Sequence, residues 1–332
     1  MNNTIFVETS LLDHPRVKEI VAKYARARVV ECSHYGEIFN RAGQHFRTQK
    51  QLPALILANK NGRKLYETPK DHAIGAPNNY YFSHMLNCPF DCRYCYLQGK
   101  FNSANYVLFV NYEDFLDEIH RISAAHHDEV HVFAGYDCDS LAYEPVTGFG
   151  QWLIENLEPS SQLLVELRTK STQIRKLLKS TPNPSCLIAY SLSPQLVISK
   201  IEHGTANLNE RLTALTELQE AGWPIGLRLD PLIDFEACES VYAEFFQQIA
   251  DAISISNVHS VTLGTMRFPS SYFKKLTNLY PHEPLFATMD ATAQGAIGYS
   301  PKTTAALIKK AVDFFSVHLD AARIHVHHSG DY

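Results

Sequence analysis

Three cysteines fall within eight positions of the stretch NCPFDCRYCYLQG, residues 87–99: Cys88, Cys92 and Cys95, spaced C-x3-C-x2-C. A structural zinc site takes four ligands, usually from two paired C-x2-C units. Only one such pair is present here. Three thiolates on one short loop can instead hold three irons of a [4Fe–4S] cluster, leaving the fourth iron without a protein ligand. An open iron of that kind suits a small chelating molecule with amino and carboxylate groups. The rival chemistry is a zinc-stabilised nucleic-acid-binding module, with His84 as a fourth ligand and a basic leading segment against phosphates.

The rest of the chain must hold this loop in place. Its 332 residues are 45% hydrophobic and 20% charged, ordinary values for a folded domain. The first residues have no basic start followed by an apolar core, and no apolar run is long enough to span a bilayer, so a cytoplasmic protein without membrane contact is expected. The remaining cysteines, Cys32, Cys138, Cys186 and Cys238, are scattered, unlike a disulfide framework.

Strand-like runs at 80–85, 129–133, 162–167, 186–191, 224–229 and 259–263 alternate with helix-like stretches at 112–126, 148–157, 171–178, 209–221 and 239–253. This alternation predicts βαβ units and a parallel sheet. Six such strands make an α/β protein with a partial (β/α)6 barrel, whose chemistry collects at the C-terminal strand ends. An N-terminal α/β extension over 1–75, the barrel over 76–270, and a C-terminal extension over 271–332 closing the barrel complete the expected organisation. In the leading segment a helix is expected at 15–27, a strand at 28–30 and an apolar run at 52–58.

The cysteine loop, with Tyr94 just before Cys95, resembles the defining loop of the radical S-adenosylmethionine superfamily. That resemblance implies reductive cleavage of S-adenosylmethionine, with electrons from a reductant such as flavodoxin or ferredoxin, and a 5′-deoxyadenosyl radical that abstracts hydrogen. Further stretches are similar to one branch, the spore photoproduct lyases: YCYLQG, VELRTKS, SLSP, and IEHGT…ERL…AGWPIGLRLDPLI over 201–233. The likeness covers roughly residues 76 to 270. It implies cluster ligation by Cys88, Cys92 and Cys95, and contacts to S-adenosylmethionine from Tyr94, Lys170, Ser191, Ser193, Arg228 and Asp230. It also implies a hydrogen relay through Tyr94 and Tyr96, with Cys138 as the donor that quenches a product radical on a thymine lesion in DNA. With the nearby aspartate aligned, Cys138 falls about two residues off the family position, between Asp137 and Asp139, two carboxylates that would raise its pKa. A relative acting on another substrate, or a cluster-bearing regulator without turnover, remains compatible with the same residues.

Arg228 and Asp230 alternate with Leu227 and Leu229, so they share one face of a strand, as an ion pair with each other or a neighbour, or as part of a ligand site. Net charge is −5, split unevenly: residues 1–75 hold 12 Lys and Arg against 7 Asp and Glu, leaving −10 for the remainder. Arg47, Lys50, Lys60, Arg63 and Lys64 read as a solvated surface, with no aromatic residues interleaved among them. The stretch 267–275 is the local basic-aromatic candidate for DNA contact. Near the C-terminus His318, His325, His327 and His328 read as surface residues or part of a terminal strand, with His325 and His327 on one face.

Overall fold

The computed structural model describes residues 4–69, 72–292 and 295–327. Two sheets dominate. The first has the order β2-β1-β3-β8-β6. Its strands are β1 (Thr4–Glu8), β2 (Arg28–Cys32), β3 (Leu55–Ala58), β6 (Met85–Leu86) and β8 (Tyr106–Phe109). All of its pairings are parallel except β6 with β8. The central strands β3 (LILA) and β8 (YVLF) are wholly buried, as strands covered on both faces must be. Helices α1 (Pro15–Ala22) and α2 (Phe46–Lys50) connect its leading strands. The helix expected over 15–27 thus ends at Ala22, where Lys23 turns away and donates to the carbonyls of Pro145 and Val146.

The second sheet is the curled half-barrel, ordered β18-β14-β13-β11-β10-β9-β5-β4. It contains β4 (Tyr66–Glu67), β5 (Asn78–Phe82), β9 (Val130–Ala134), β10 (Leu163–Thr169), β11 (Cys186–Ser191), β13 (Ile225–Leu232), β14 (Ser260–Thr265) and β18 (Ile324–His327). All six expected strands are present and pair in parallel. The terminal strand β18, carrying His325 and His327, adds a seventh parallel strand beside β14, while β4 is antiparallel at the opposite edge. His328 lies outside the described residues, and His318 is exposed. Helices α3 (Tyr112–Ala125), α4 (Glu144–Thr147), α5 (Phe149–Asn156), α6 (Gln195–Ile201), α7 (Leu208–Glu220) and α8 (Cys238–Ala252) make the crossovers. Among the described residues no helix is long and apolar enough to cross a membrane.

The helix expected at 171–178 is absent. Ser171 N–H is taken by Thr169 Oγ1 at 2.8 Å and Gln173 N–H by Ser171 Oγ at 3.2 Å, local bonds that compete with a helix. Only a 3-10 turn at Leu177–Lys179 forms. The last segment holds a small sheet of β15 (Arg267–Pro269), β16 (Asp290–Ala291) and β17 (Ala296–Gly298), with α9 (Ser270–Leu279) and α10 (Pro301–Phe315). Two short strands remain, β7 (Asp91–Cys92) and β12 (Glu202–His203), paired antiparallel with Glu202 opposite Cys92.

Strand register sets which side chains face the barrel interior. Arg228 stands opposite Ser191 and Thr262, and Gly264 opposite His327. The period of two then puts Glu166, Arg168, Gly226, Arg228, Asp230, His325 and His327 on the inner face. Two glycines make room there. A Cβ on Gly226 would lie 3.0 Å from Arg228 Nη2, and one on Gly264 would lie 2.7 Å from both Asp230 and Arg267.

Candidate active site

The cysteine loop leaves β6 through Asn87, a non-glycine residue at φ 66°. Its amide donates to the carbonyls of Ser103 and Asn105 at 2.8 and 2.7 Å, which fixes the strained entry. Cys92 sits in β7, and turn bonds follow from Cys95 N–H to the Cys92 carbonyl (3.1 Å) and from Gln98 N–H to the Cys95 carbonyl (2.9 Å). Helix α2 grips the loop from one side: Arg47 meets the Asp91 carboxylate at 2.8 and 3.0 Å, and the Lys50 ammonium bonds the carbonyls of Cys88 and Phe90. From the other side the Tyr272 hydroxyl donates to the Cys95 and Gln98 carbonyls at 3.0 and 2.7 Å, and Tyr280 Oη meets Gln98 at 2.6 Å.

The expected basic surface of the leading segment is therefore split. Arg47 and Lys50 serve the loop, Lys64 pairs with Asp114 at 3.2 Å, and Lys60 and Arg63 lie over the Tyr66 ring at 5.9 and 5.2 Å. Aromatic interleaving is built by the fold instead of by adjacency: Tyr66 stacks on Tyr81, Tyr81 on Tyr136 at 4.0 Å, and Tyr136 meets Tyr96.

All three loop cysteines are free, and each lies in the electrostatic reach of the others. Burial pushes the Cys88 thiol up to about 12 and the Cys92 thiol well above its usual value. Among the described residues no three His, Cys, Asp or Glu side chains converge on a point suited to one metal ion. A zinc site requires such convergence, whereas the thiolates of a [4Fe–4S] cluster each hold a different iron. His84 does not complete a zinc set. Its ring stacks on Phe149 at 3.9 Å and its Nε2 stands 4.0 Å from Cys138 Sγ, and it belongs to no group of three metal-ligating side chains among the described residues. Three thiols on one short loop are the donors a [4Fe–4S] cluster would need, and the cations of Lys50 and Lys170 near the loop would suit an anionic group.

Glu202 is the hub beside the loop. Its buried carboxylate accepts from the Tyr94 hydroxyl, from Ser193 Oγ at 3.0 Å and from Arg211 Nη2 at 2.6 Å. Arg211, fully buried, also bonds the Ser191 carbonyl and Thr205 Oγ1. Lys170 stands 5.5 Å over the Tyr94 ring. Burial opposes its charge, yet Glu202 above all and then Cys92 hold the ammonium above its ordinary value. Asp139 fixes the Lys170 backbone, accepting from Lys170 N–H and Thr169 Oγ1 at 2.6 Å each.

Tyr96 goes elsewhere: its hydroxyl bonds the Tyr136 carbonyl and lies 3.3 Å from Asp137. Among the described residues no ring contact joins Tyr94 to Tyr96. Cys138 lies on the other flank of the loop, where burial first, then Cys88, Asp139 and Asp137, push its thiol well above the usual value. The two flanking carboxylates act as expected, but burial is the larger cause.

Arg228 and Asp230 share a face and do not pair with each other. Arg228 is spent on Glu166 (2.6 and 3.0 Å) and on the Ser260 carbonyl (3.1 Å), leaving it a cross-barrel tie with 1% exposure. Asp230, at the C-terminal end of β13, accepts from Arg267 at 2.9 and 3.1 Å and meets His327 Nδ1 at 2.9 Å. Sequence reasoning gave Glu202 no role, and read Asp139 only as a charge beside Cys138, Lys50 as a solvated cation and Tyr272 as part of the candidate DNA-contact stretch. The only signal was the likeness at Glu202, Thr205 and Arg211, which carried no chemistry until the hub was seen.

A curled parallel half-barrel with a three-cysteine loop at its strand ends defines the radical S-adenosylmethionine class. The family model for spore photoproduct lyase matches residues 1–294, and this chain belongs to that family. It is 23% identical over 288 residues to spore photoproduct lyase of Bacillus subtilis (strain 168), covering 85% of this chain and 83% of the relative. The Clostridium acetobutylicum enzyme of the same name is 24% identical over 311 residues, with 90% and 89% covered. Among solved structures, a cysteine-to-alanine mutant of spore photoproduct lyase superposes with a TM-score of 0.83 at 19% identity, covering 99% of this chain and 98% of the other. A double mutant holding AdoMet and dinucleoside spore photoproduct superposes at 0.82 with the same coverage and identity.

Proposed function

We propose that this chain is a radical S-adenosylmethionine enzyme that repairs the spore photoproduct thymine lesion in DNA, with a [4Fe–4S] cluster on Cys88, Cys92 and Cys95. The observation that carries the reading is the Cys138 thiol beside the loop, in the field of Cys88 and 4.0 Å from the neutral His84. Burial keeps it as S–H, the form that can give a hydrogen atom to a product radical. When bound, the cluster supplies the single electron that breaks a carbon–sulfur bond of S-adenosylmethionine and so starts hydrogen abstraction.

The chain's own residues bind and orient. Lys170, kept protonated by Glu202, offers a cation to the carboxylate of S-adenosylmethionine. Tyr94 and Ser193 are held by Glu202, which fixes them along the path from the loop to the end of β11, where Ser191 lies. Asp230 presents a carboxylate at the end of β13, kept ionised by Arg267. Tyr96, bonded to the Tyr136 carbonyl and near Asp137, is the second phenol of the relay. Arg228, bonded to Glu166 and Ser260, ties the barrel strands together and takes no part in the chemistry.

The test is anaerobic reconstitution with S-adenosylmethionine, a strong reductant and dinucleoside spore photoproduct, following 5′-deoxyadenosine and repaired dinucleoside. Cys92→Ala abolishes both products, as does removal of iron with a chelator. Cys138→Ala keeps 5′-deoxyadenosine formation and diverts the repaired product. Unchanged repair by that variant would remove Cys138 from the mechanism, and no 5′-deoxyadenosine from cluster-loaded native protein would sink the enzyme reading.

A further inference from the structure

Lys50 reaches the cysteine loop from outside the barrel. It ends α2, three residues after Arg47, so both project from one helix face toward the loop. Its ammonium bonds the Phe90 carbonyl at 3.0 Å and the Cys88 carbonyl more closely, and it stands 5.8 Å from the centre of the Tyr106 ring. Among the described residues no carboxylate lies within ion-pair distance of it. The nearest candidate, Asp91, is already met by two guanidinium groups, Arg47 at 2.8 Å and Arg93 at 2.9 Å. On the far flank Lys170 differs: Glu202 is the leading charge that sustains its cation.

A half-buried ammonium that is offered only neutral carbonyls and a ring, beside three cysteines, lacks its anion in the polypeptide. We propose that the charge of Lys50 belongs to the cluster: this lysine is a positioning residue that sets the cluster's reduction potential and steadies the Cys88 arm of the loop. The inference rests on the cluster reading above. Its physics is direct. Reduction adds one negative charge to the cluster, and a nearby cation screened by little water stabilises the more anionic state. Net charge and hydrogen bonding around the sulfurs are the levers by which a protein tunes such a centre. A cation fixed at the loop therefore raises the potential, which eases delivery of the electron to a centre that must be reduced before any chemistry starts.

A mere staple for the loop would behave differently, because a neutral donor can still bond a carbonyl without adding charge beside the cysteines. Native protein, Lys50→Gln and Lys50→Arg are to be reconstituted anaerobically and assayed for iron and acid-labile sulfide. Each is then titrated spectroelectrochemically, with the reduced cluster followed by electron paramagnetic resonance. Lys50→Gln is expected to hold the cluster and to titrate at a more negative midpoint, while Lys50→Arg stays at the native value. Loss of the cluster in Gln with retention in Arg also supports the role of charge. A Gln variant titrating at the native midpoint overturns the inference alone, as does loss of the cluster in both variants, which would assign Lys50 to packing. Native protein that takes up no iron or sulfide would overturn this inference together with the proposed function.

Discussion

Glu202 with Arg211 and Glu166 with Arg228 are both carboxylate–guanidinium pairs at 2.6 Å, and all four side chains are shut away from solvent. Their remaining bonds set them apart. Glu202 spends its other contacts on Tyr94 and Ser193, two residues of the candidate site, and on the charge of Lys170. Glu166 spends them on the partly exposed Arg168 at 2.9 Å and on the buried His131 at 3.3 Å. Burying a charge pair is costly, and breaking one leaves its partner uncompensated. The two pairs therefore cost the fold alike, but only one of them can transmit its order to the chemistry. A buried ion pair is not a functional mark in itself. What it holds decides.

The largest expected effect tests the Glu166 pair. Glu166→Ala strands Arg228 in the barrel and should lower stability by about 3–5 kcal/mol, read from the shift of the denaturation midpoint. The S-adenosylmethionine affinity of the protein that remains folded should hold within about twofold, since Glu166 bonds none of Tyr94, Ser193 and Lys170. Glu202→Gln tests the other pair with a near-isosteric change. It should destabilise less, because the amide still fills the site, and should weaken S-adenosylmethionine binding by roughly tenfold or more through loosened Tyr94, Ser193 and Lys170. Equal losses of affinity in the two variants, measured by calorimetry on cluster-loaded protein, would break the distinction.

The same contrast explains how much could be read from the sequence. The proposed ligand set was legible because its residues are confined to eight positions, Cys88 to Cys95, at a spacing few other functions need. The six barrel strands were legible from apolar runs between helices. Shared faces were legible too, since Arg228 and Asp230 differ by one strand period. Their partners were not. Glu166 lies 62 residues from Arg228, and Arg267 lies 37 from Asp230. The strand order of the half-barrel brings the first pair together, and the turn from β14 into β15 the second. For the same reason Arg47 and Lys50 looked like surface cations. The loop they grip is about 40 residues away, and Tyr272 reaches it across 177. The helix expected at 171–178 failed on a local cause, Thr169 and Ser171 hydroxyls taking backbone N–H groups a helix would have needed.

A third carboxylate sharpens the comparison through pH. Asp230 keeps 17% of its side chain exposed, and His327 and Arg267 flank it. Burial alone would raise its pKa, but Arg267 first and His327 with it hold the carboxyl well below the usual range. A carboxyl depressed in the folded state contributes stability above its unfolded value, near pH 3.9, and that contribution fades as pH falls toward the folded one. Asp230→Asn should therefore lower stability at pH 7 and flatten the decline below about pH 4, measured as denaturation midpoints across an acid series. An acid decline as steep as that of the native protein would show that Asp230 carries no net coupling to Arg267.

The smallest effect belongs to a pair with the same short contact and none of the burial. Lys309 and Asp313 meet at 2.5 Å on α10, but their side chains are 74% and 60% exposed. Water screens the attraction, and both side chains, the long Lys309 above all, lose freedom in making it. The order along the helix, base before acid, is also the less favourable one. Lys309→Ala should change stability by no more than about 0.5 kcal/mol, against several for Glu166→Ala, although the distances differ by only a tenth of an ångström. The contact length is nearly constant across the three pairs, so the removal of water must carry the difference. A loss above about 1 kcal/mol for Lys309→Ala would mean that contact geometry, not burial, ranks the ion pairs of this fold.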